Sequence, residues 1–547
     1  MRTLTFRAHE PFCQTPTDQE ISVLRCRGAP GEPLSASFSI EASPAVAEVT
    51  LSASSLVDHS NVIAGTAIDL HIVKRWSQAG IGVYQSAPQV VGELLLKDDR
   101  VRLSDRYSIR YAHWRHLFHP VRYYVPPDVR LHGEAVTTLE KSTPKQVWVS
   151  LRIPAATPPG TYRGRIDVSS ASTAIEPHRL PVEVEVLPIA LSEPKQDLLL
   201  WFRGTLDPFV PQHYLRPAAF RAQLRDIREH GFQSLSLHEY RPSRLQRALD
   251  MASEAGFRRH VILPPHAAAW LKTLRFHGMS PLFYVSDEMD RRGEPAVASH
   301  ITNSRLAREQ GGRTMISLLG HGFGRRLLDD SDVGHRPDVV SYYLPENTDY
   351  FRAFQAFPEL RTITTYYHWA SHMEKPNVHR VLAGLYLWKS GASGIAPYCY
   401  QHLPRPPFSP FDDFDEWDPA ERTGRDEPAF KDHMTTYPAR SGPIPTLQWK
   451  GLSAGLYDLR YLTTLADTLE RVSNSPDPDA IRAAEGVRDR LQKIIGRIGI
   501  SSINIASTTD PEPYADIAAS EYEQFRRAIA DDIVLLQACC PAGERRA

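Results

Sequence analysis

The chain has little of what marks redox, metal-bound or membrane proteins. Its 547 residues include five cysteines, Cys13, Cys26, Cys399, Cys539 and Cys540. They form no CxxC pair and no zinc-ligand spacing, so a zinc ribbon or a thioredoxin-type centre has no basis, and a reducing compartment fits. No apolar run reaches the length of a membrane span, so no transmembrane helix is expected. The start, MRTLTFRAHEPFCQ, has no apolar core of a secretory signal, which makes a cytoplasmic location the expectation. Charge of one sign is also missing: 63 basic and 64 acidic residues leave a formal net charge of -1. That balance provides no field for nucleic acid or an anionic membrane. Neither a glycine-rich phosphate loop nor a GxSxG elbow is present, which leaves nucleotide binding and acyl hydrolysis unsupported.

What is present divides into three parts, and a chain this long exceeds one ordinary core. Residues 1–192 read as an all-β domain. Segments such as AEVTLSASSL, VWVSLRI and PVEVEVLPI alternate or are rich in β-branched residues, and Gly28, Gly31 and Pro158-Pro159-Gly160 supply turns. A two-sheet sandwich buries such strands. Residues 193–450 alternate strands with amphipathic segments. The expected strands are 197–204, 232–240, 259–265, 281–288, 313–320, 338–344, 361–369 and 394–401. Eight strands with intervening helices is the count of a (β/α)8 TIM barrel, with an open doubly wound sheet as the alternative. Proline is abundant, at 44 residues, and residues 403–450 read as a long proline-rich loop closing this domain. Residues 451–547 read as a C-terminal helical region, with Leu459, Leu462, Leu465 and Leu469 on one face.

Within the barrel the stretch PLFYVSDEMD delivers two adjacent carboxylates, Asp287 and Glu288, at the end of an apolar strand. In this fold active sites lie at that end of the strands. Neighbouring side chains on a regular strand point to opposite faces, so both acids reach one ligand only if the backbone bends at the strand exit. Adjacent acids also rarely straddle a sugar, as a conventional retaining or inverting glycosidase requires. They can serve one side of the reaction instead. One acid protonates the leaving oxygen while the other steers a nucleophile belonging to the substrate, such as a 2-acetamido group. Glu288, one methylene longer, is the expected general acid, with Asp287 ionised against the acetamido N–H. The plain alternative is a solvated loop that happens to carry two acids.

The neighbouring strand ends carry aromatic side chains, which stack on sugar faces and present polar tips to hydroxyls. Trp201 is on the first strand, Tyr342 and Tyr343 on the sixth, Tyr366, Tyr367, His368 and Trp369 on the seventh, and Tyr398 and Tyr400 on the eighth. Trp201, Tyr343, Tyr366, Tyr367, Trp369, Tyr398 and Tyr400 are expected to contact substrate, and core packing is the competing use for each. Arg203, His238, Glu239 and His266 are further candidates for hydroxyl contacts. In the loop DDFDEW, with Asp412, Asp413, Asp415, Glu416 and Trp417, either Asp413 or Trp417 can reach a sugar if the loop covers the pocket. The cluster lacks the ligand order of an EF-hand, and no metal is assigned to it.

Four stretches in order resemble glycoside hydrolase family 123 and its relatives, the retaining β-N-acetylgalactosaminidases. They are VWVSLRIPAATPPGTYRGRIDV, FYVSDE, GLYLWKSGASGIAPYCYQ and PTLQWKGLSAGLYDLRYLTTL. The resemblance implies a sandwich before a (β/α)8 barrel, retention of anomeric configuration and substrate-assisted hydrolysis. It places Asp287 at the acetamido-orienting position and Glu288 at the acid/base position. The chain departs from the family pattern at Lys450, Ser453 and Ala454, where a glutamate and an arginine are expected, and at Met289, where proline often follows the acids. The expectation is therefore a hydrolase releasing a terminal β-linked N-acetylhexosamine, N-acetylgalactosamine foremost, with a glycan as partner and no cofactor. Two alternatives stand beside it: a conventional retaining glycosidase pairing Glu288 with an acid such as Glu239, and a non-catalytic glycan-binding protein.

Overall fold

A computed structural model describes residues 3–78, 89–103, 106–114, 117–170, 178–318, 336–343, 363–369, 376–403, 409–411, 433–498 and 519–539. The N-terminal part is a sandwich of two mainly antiparallel sheets. One runs, edge to edge, through Thr3–Ala8, Pro33–Ser43, Lys145–Arg152, Ile68–Gln78 and Gln89–Leu96. The other runs through Ala135–Leu139, Val46–Ala53, Gly160–Ser169, His178–Val186 and Leu24–Gly28. Alternation fixes which residues meet between them: Leu180, Val182, Val184 and Val186 are buried while Arg179, Pro181 and Glu185 face out. Phe38, Ile40, Val147 and Val149 of the first sheet pack against Val49, Leu51, Ile166 and Val184 of the second. The Pro158-Pro159-Gly160 turn joins a strand of one sheet to a strand of the other, so it is a crossover and not a hairpin.

All eight expected barrel strands form, and they close in sequence order. They are Asp197–Leu200, Ser234–Ser236, His260–Leu263, Ser280–Ser286, Arg313–Leu318, Val339–Tyr343, Thr364–His368 and Gly394–Ile395. Every pairing around the ring is parallel, including the closure of the first strand on the eighth. The open doubly wound sheet is thereby excluded. Leu199, Ile262, Leu282, Met315, Val339 and Tyr366 fill the interior, while alternate residues such as Leu198, Leu200, Leu235, Ile316 and Tyr367 join the larger core beneath the helices. Helices such as Pro217–Glu229 and Pro242–Glu254 start with proline in the first turn, where its missing N–H costs nothing.

The expected division at residue 450 falls inside a helix, Leu447–Ser473. Its true start is set by Thr446, whose hydroxyl accepts the Trp449 N–H at 3.1 Å. Just before it, part of the proline-rich stretch forms a small hairpin, Tyr437–Ala439 with Gly442–Ile444. Dense prolines hide such short pairing because they mask any alternation. The helix also joins the domains. Phe12, Trp148, Leu447 and Ala454 form one cluster between the sandwich and this helix. Beside it lies a buried ionic network: Arg526 donates to Glu32 at 2.9 Å and to Asp458 at 2.5 Å, Arg380 donates to Asp458 at 2.7 Å, and Tyr461 donates to Glu32 at 2.7 Å. Glu32 belongs to the sandwich and the others to the barrel and its helices, so removing one partner would strand a buried charge. The departures noted above lie on this helix: Lys450 Nζ is 3.1 Å from His230 Nε2, and Ala454 sits in the apolar cluster.

Candidate active site

The fourth barrel strand does not run straight to its end. Its pairing with the fifth slips between Tyr284 and Ser286, leaving Val285 as an extra residue. Such a bulge re-aims the side chains that follow. Two residues on, Glu288 adopts a left-handed backbone, with φ 44° and ψ 48°. A non-glycine residue there costs about 1–2 kcal/mol, and neighbours hold it in place. The Glu288 N–H donates to the Ser317 carbonyl at 3.1 Å, its own carbonyl accepts the Arg292 N–H at 3.2 Å, and Met289 is wholly buried in the core. A bend at this point is what two adjacent acids require if both are to face the same end of the barrel. Met289, wholly buried, provides the apolar anchor of the turn.

Asp287 sits in a cage of donors. Tyr284 Oη donates to Asp287 Oδ1 at 2.5 Å. Ser317 Oγ lies 2.5 Å from Tyr284 Oη and 3.1 Å from the same carboxylate oxygen. Arg292 donates to Oδ2 at 2.7 Å. Burial, and then the negative charge of Asp287, push the Tyr284 hydroxyl well above its ordinary pKa, so it keeps the proton it donates. Two hydroxyls and a guanidinium thus face the Asp287 carboxylate. Strand parity was the signal for Tyr284 and Ser317, which lie on the same face as Leu282 and Met315.

Other inward side chains complete the mouth. Trp201 stacks near His238, at 6.2 Å between centroids, and meets Tyr284 edge-on at 4.7 Å and Tyr398 at 6.3 Å. Tyr343 meets His368 edge-on at 5.4 Å, and His368 Nδ1 is 3.0 Å from Ser341 Oγ. Burial lowers His368 to about 4, with Asp287 pulling the other way. Burial, with help from Arg203, lowers His238 to about 3. Both imidazoles are therefore neutral hydrogen-bonding groups near neutral pH. Arg203 keeps a buried Nε–H without an acceptor among the described residues.

Four of the expected substrate contacts are placed elsewhere. Tyr367 and Trp369 fall on the helix-facing side of the seventh strand. Tyr367 donates to the Leu382 carbonyl, and Trp369 Nε1 donates to His379 Nδ1 at 3.1 Å. Tyr400 is buried with its hydroxyl donating to Asp226 at 2.8 Å on the helix Pro217–Glu229. Tyr366 does point inward, but its hydroxyl is held by Asp197 at 2.5 Å, at the opposite end of the barrel. Each polar tip is already satisfied within the fold, which is why residue type alone misplaced them. Asp413, with the rest of the acidic loop and Trp417, lies outside the described residues.

Glu239, the second acid of the conventional alternative, is wholly buried, and its Oε1 accepts the Leu206 N–H at 2.6 Å. Its Oε2 makes no geometrically sound hydrogen bond among the described residues, and burial raises its pKa to about 7. The folded state thus binds a proton that the unfolded chain releases near pH 4.5, and stability falls as pH rises from there to about 7. The predicted cost at pH 8 is up to about 3 kcal/mol. Glu239→Gln should melt higher than the parent at pH 8 and lose that advantage at pH 5. A melting difference independent of pH would contradict this account.

Comparison with known proteins bears on the whole chain. No protein-family model matches the sequence, and no curated protein matches it. Among solved structures, the chain is similar to a family 123 glycoside hydrolase from Clostridium perfringens, described for glycolipid glycan hydrolysis. The TM-score is 0.66 over 98% of this chain and 100% of that one, at 12% identity. The chain therefore has the sandwich-and-barrel fold of that hydrolase. A Bacteroides ovatus GH5 xyloglucanase aligns over 80% of this chain and 98% of its own, at 7% identity and a TM-score of 0.31, too loosely to carry an argument.

Proposed function

We propose that the chain is a retaining glycoside hydrolase that removes terminal β-linked N-acetylhexosamine, N-acetylgalactosamine foremost, by substrate-assisted catalysis. The observation that supports this reading is a caged Asp287 at the end of the fourth barrel strand, followed at once by a left-handed turn at a second acid, Glu288. The fold shared with the Clostridium perfringens enzyme supports it. Asp287 accepts the acetamido N–H and thereby aims the acetamido oxygen at the anomeric carbon. As that C–O bond forms, the bond to the aglycone breaks, and Glu288 gives its proton to the departing oxygen. The positive charge of the oxazolinium ion rests against Asp287. Glu288 then takes a proton from the water that reopens the ring, restoring both acids and the original anomeric configuration. Tyr343, inward and beside His368, is the candidate donor to the acetamido oxygen.

Aryl β-glycosides test the reading directly. Both N-acetylgalactosaminide and N-acetylglucosaminide should turn over, with the galacto sugar faster, and the β-galactoside should not. Equal cleavage of the β-galactoside would instead support a conventional retaining glycosidase. Binding without turnover would support a glycan-binding protein. The buried position of Glu239 counts against the first of these.

A further inference from the structure

The mouth of the barrel carries an aromatic surface that the proposed chemistry does not use. Among the described residues, the exposed large apolar side chains are Val57, Val62, Val90, Phe209, Tyr240 and Leu535. Phe209 and Tyr240 are the two in loops at the C-terminal end of the barrel strands, and Tyr240 is 54% exposed. Tyr240 is not a loose surface side chain. Its ring lies on the His266 imidazole at 5.2 Å and 17°, and His266 meets Trp270 edge-on at 5.4 Å. His266 Nε2 is 3.2 Å from the Glu239 carbonyl, and Trp270 packs against the main core. One face of Tyr240 is thus fixed by a stacked support, and the side turned from it is open to solvent.

Its position relative to the acids is specific. Tyr240 follows the second barrel strand, and His266 and Trp270 lie in the short helix Pro265–Trp270 after the third. That helix packs on the fourth strand, which bears the acids, and on the helix Glu294–Glu309 that follows them. Asp287 is held from the other side, by Ser317 of the fifth strand. A sugar whose acetamido group lies against Asp287 therefore has the sector of strands five to seven at that pole. The sector of strands two and three is left for the group beyond the cleaved bond.

We infer that Tyr240, supported by His266 and Trp270, is a stacking platform for a pyranose ring on the aglycone side, so the preferred substrate is an oligosaccharide. This rests on the proposed glycosidase reading. A single ring-sized face with a polar rim suits a pyranose, whose apolar C–H face stacks while its hydroxyls stay wet. An acyl chain would call for a continuous apolar patch.

The test compares kcat/KM for a β-N-acetylgalactosaminyl disaccharide with that for the methyl β-N-acetylgalactosaminide, which leaves the platform empty. Both leaving groups need the same protonation. In Tyr240→Ala the disaccharide-to-methyl ratio should fall about tenfold, the scale of one aromatic stacking contact. Tyr240→Trp should retain most of the ratio, and His266→Ala should lower it by loosening the support. An unchanged ratio in Tyr240→Ala would overturn the platform while leaving the glycosidase reading intact. If the parent chain cleaves neither compound, the glycosidase reading fails, and calorimetric binding of the disaccharide decides the platform. Weaker binding to Tyr240→Ala supports it, and equal binding or none overturns it.

Discussion

Glu288→Gln is expected to lower kcat/KM on a β-linked N-acetylgalactosaminyl disaccharide by about 10³-fold, within the usual range for general acid–base catalysis. The same variant should lose far less kcat/KM on a dinitrophenyl glycoside, about tenfold or under, because that leaving group departs without a proton and kcat/KM does not include the later ring opening, where Glu288 is the base. The contrast between the two substrates carries the argument, since a structural defect would depress both alike. Gln preserves the length of the side chain, so the left-handed turn and its contacts through Ser317 and Met289 should survive. The pH profile gives a second readout. Glu288 must be protonated to act as the acid, so the parent's activity on the disaccharide declines as pH rises through its pKa. On the dinitrophenyl substrate the variant should show no such decline. Parallel losses of kcat/KM on both substrates would remove Glu288 from the role of acid.

The eight barrel strands and the last helices were legible because each carries a strong periodic signal and a clear stop. Apolar runs such as HVIL, closed by Pro264, and PLFYV, closed by polar residues, leave little choice of element. The bulge at Val285 and the turn at Glu288 were not legible, because no glycine marks them. Their cause lies in contacts with Ser317 and the core, which are tertiary. The adjacency of the acids did imply that some bend was needed. For the aromatic residues the failure has one physical source. Strand parity separates Trp201 and Tyr398, which meet inside the barrel, from Tyr367 and Trp369, which pack outward under the helices. Residue type suggested a sugar surface at all of them, and parity was the finer guide. Tyr240 and His266 show the reverse case, a pair from two separate loops whose stacking no local pattern announces.

Asp287→Ala carries the second large effect. It should reduce kcat on aryl N-acetylgalactosaminides by about 10²–10³-fold or more, the range seen when one preorganised electrostatic contact to a transition state is lost. Two functions disappear together: the acceptor that aims the acetamido group and the charge that faces the oxazolinium ion. Asp287→Asn separates them, since its amide oxygen can still accept the N–H while the charge is gone. It should lie between the parent and Asp287→Ala. Tyr284→Phe should cost less than either, because Ser317 and Arg292 still hold the carboxylate. Added azide gives a sharper distinction. If the substrate supplies its own nucleophile, azide should not restore Asp287→Ala. An enzyme whose aspartate itself attacks the sugar would be rescued, and the product would be the α-glycosyl azide, because azide displaces the β-linked group from the opposite face. Recovery of that product, or near-normal turnover without azide, would mean that Asp287 does not orient an acetamido nucleophile. The donor cage around it would then need a different explanation.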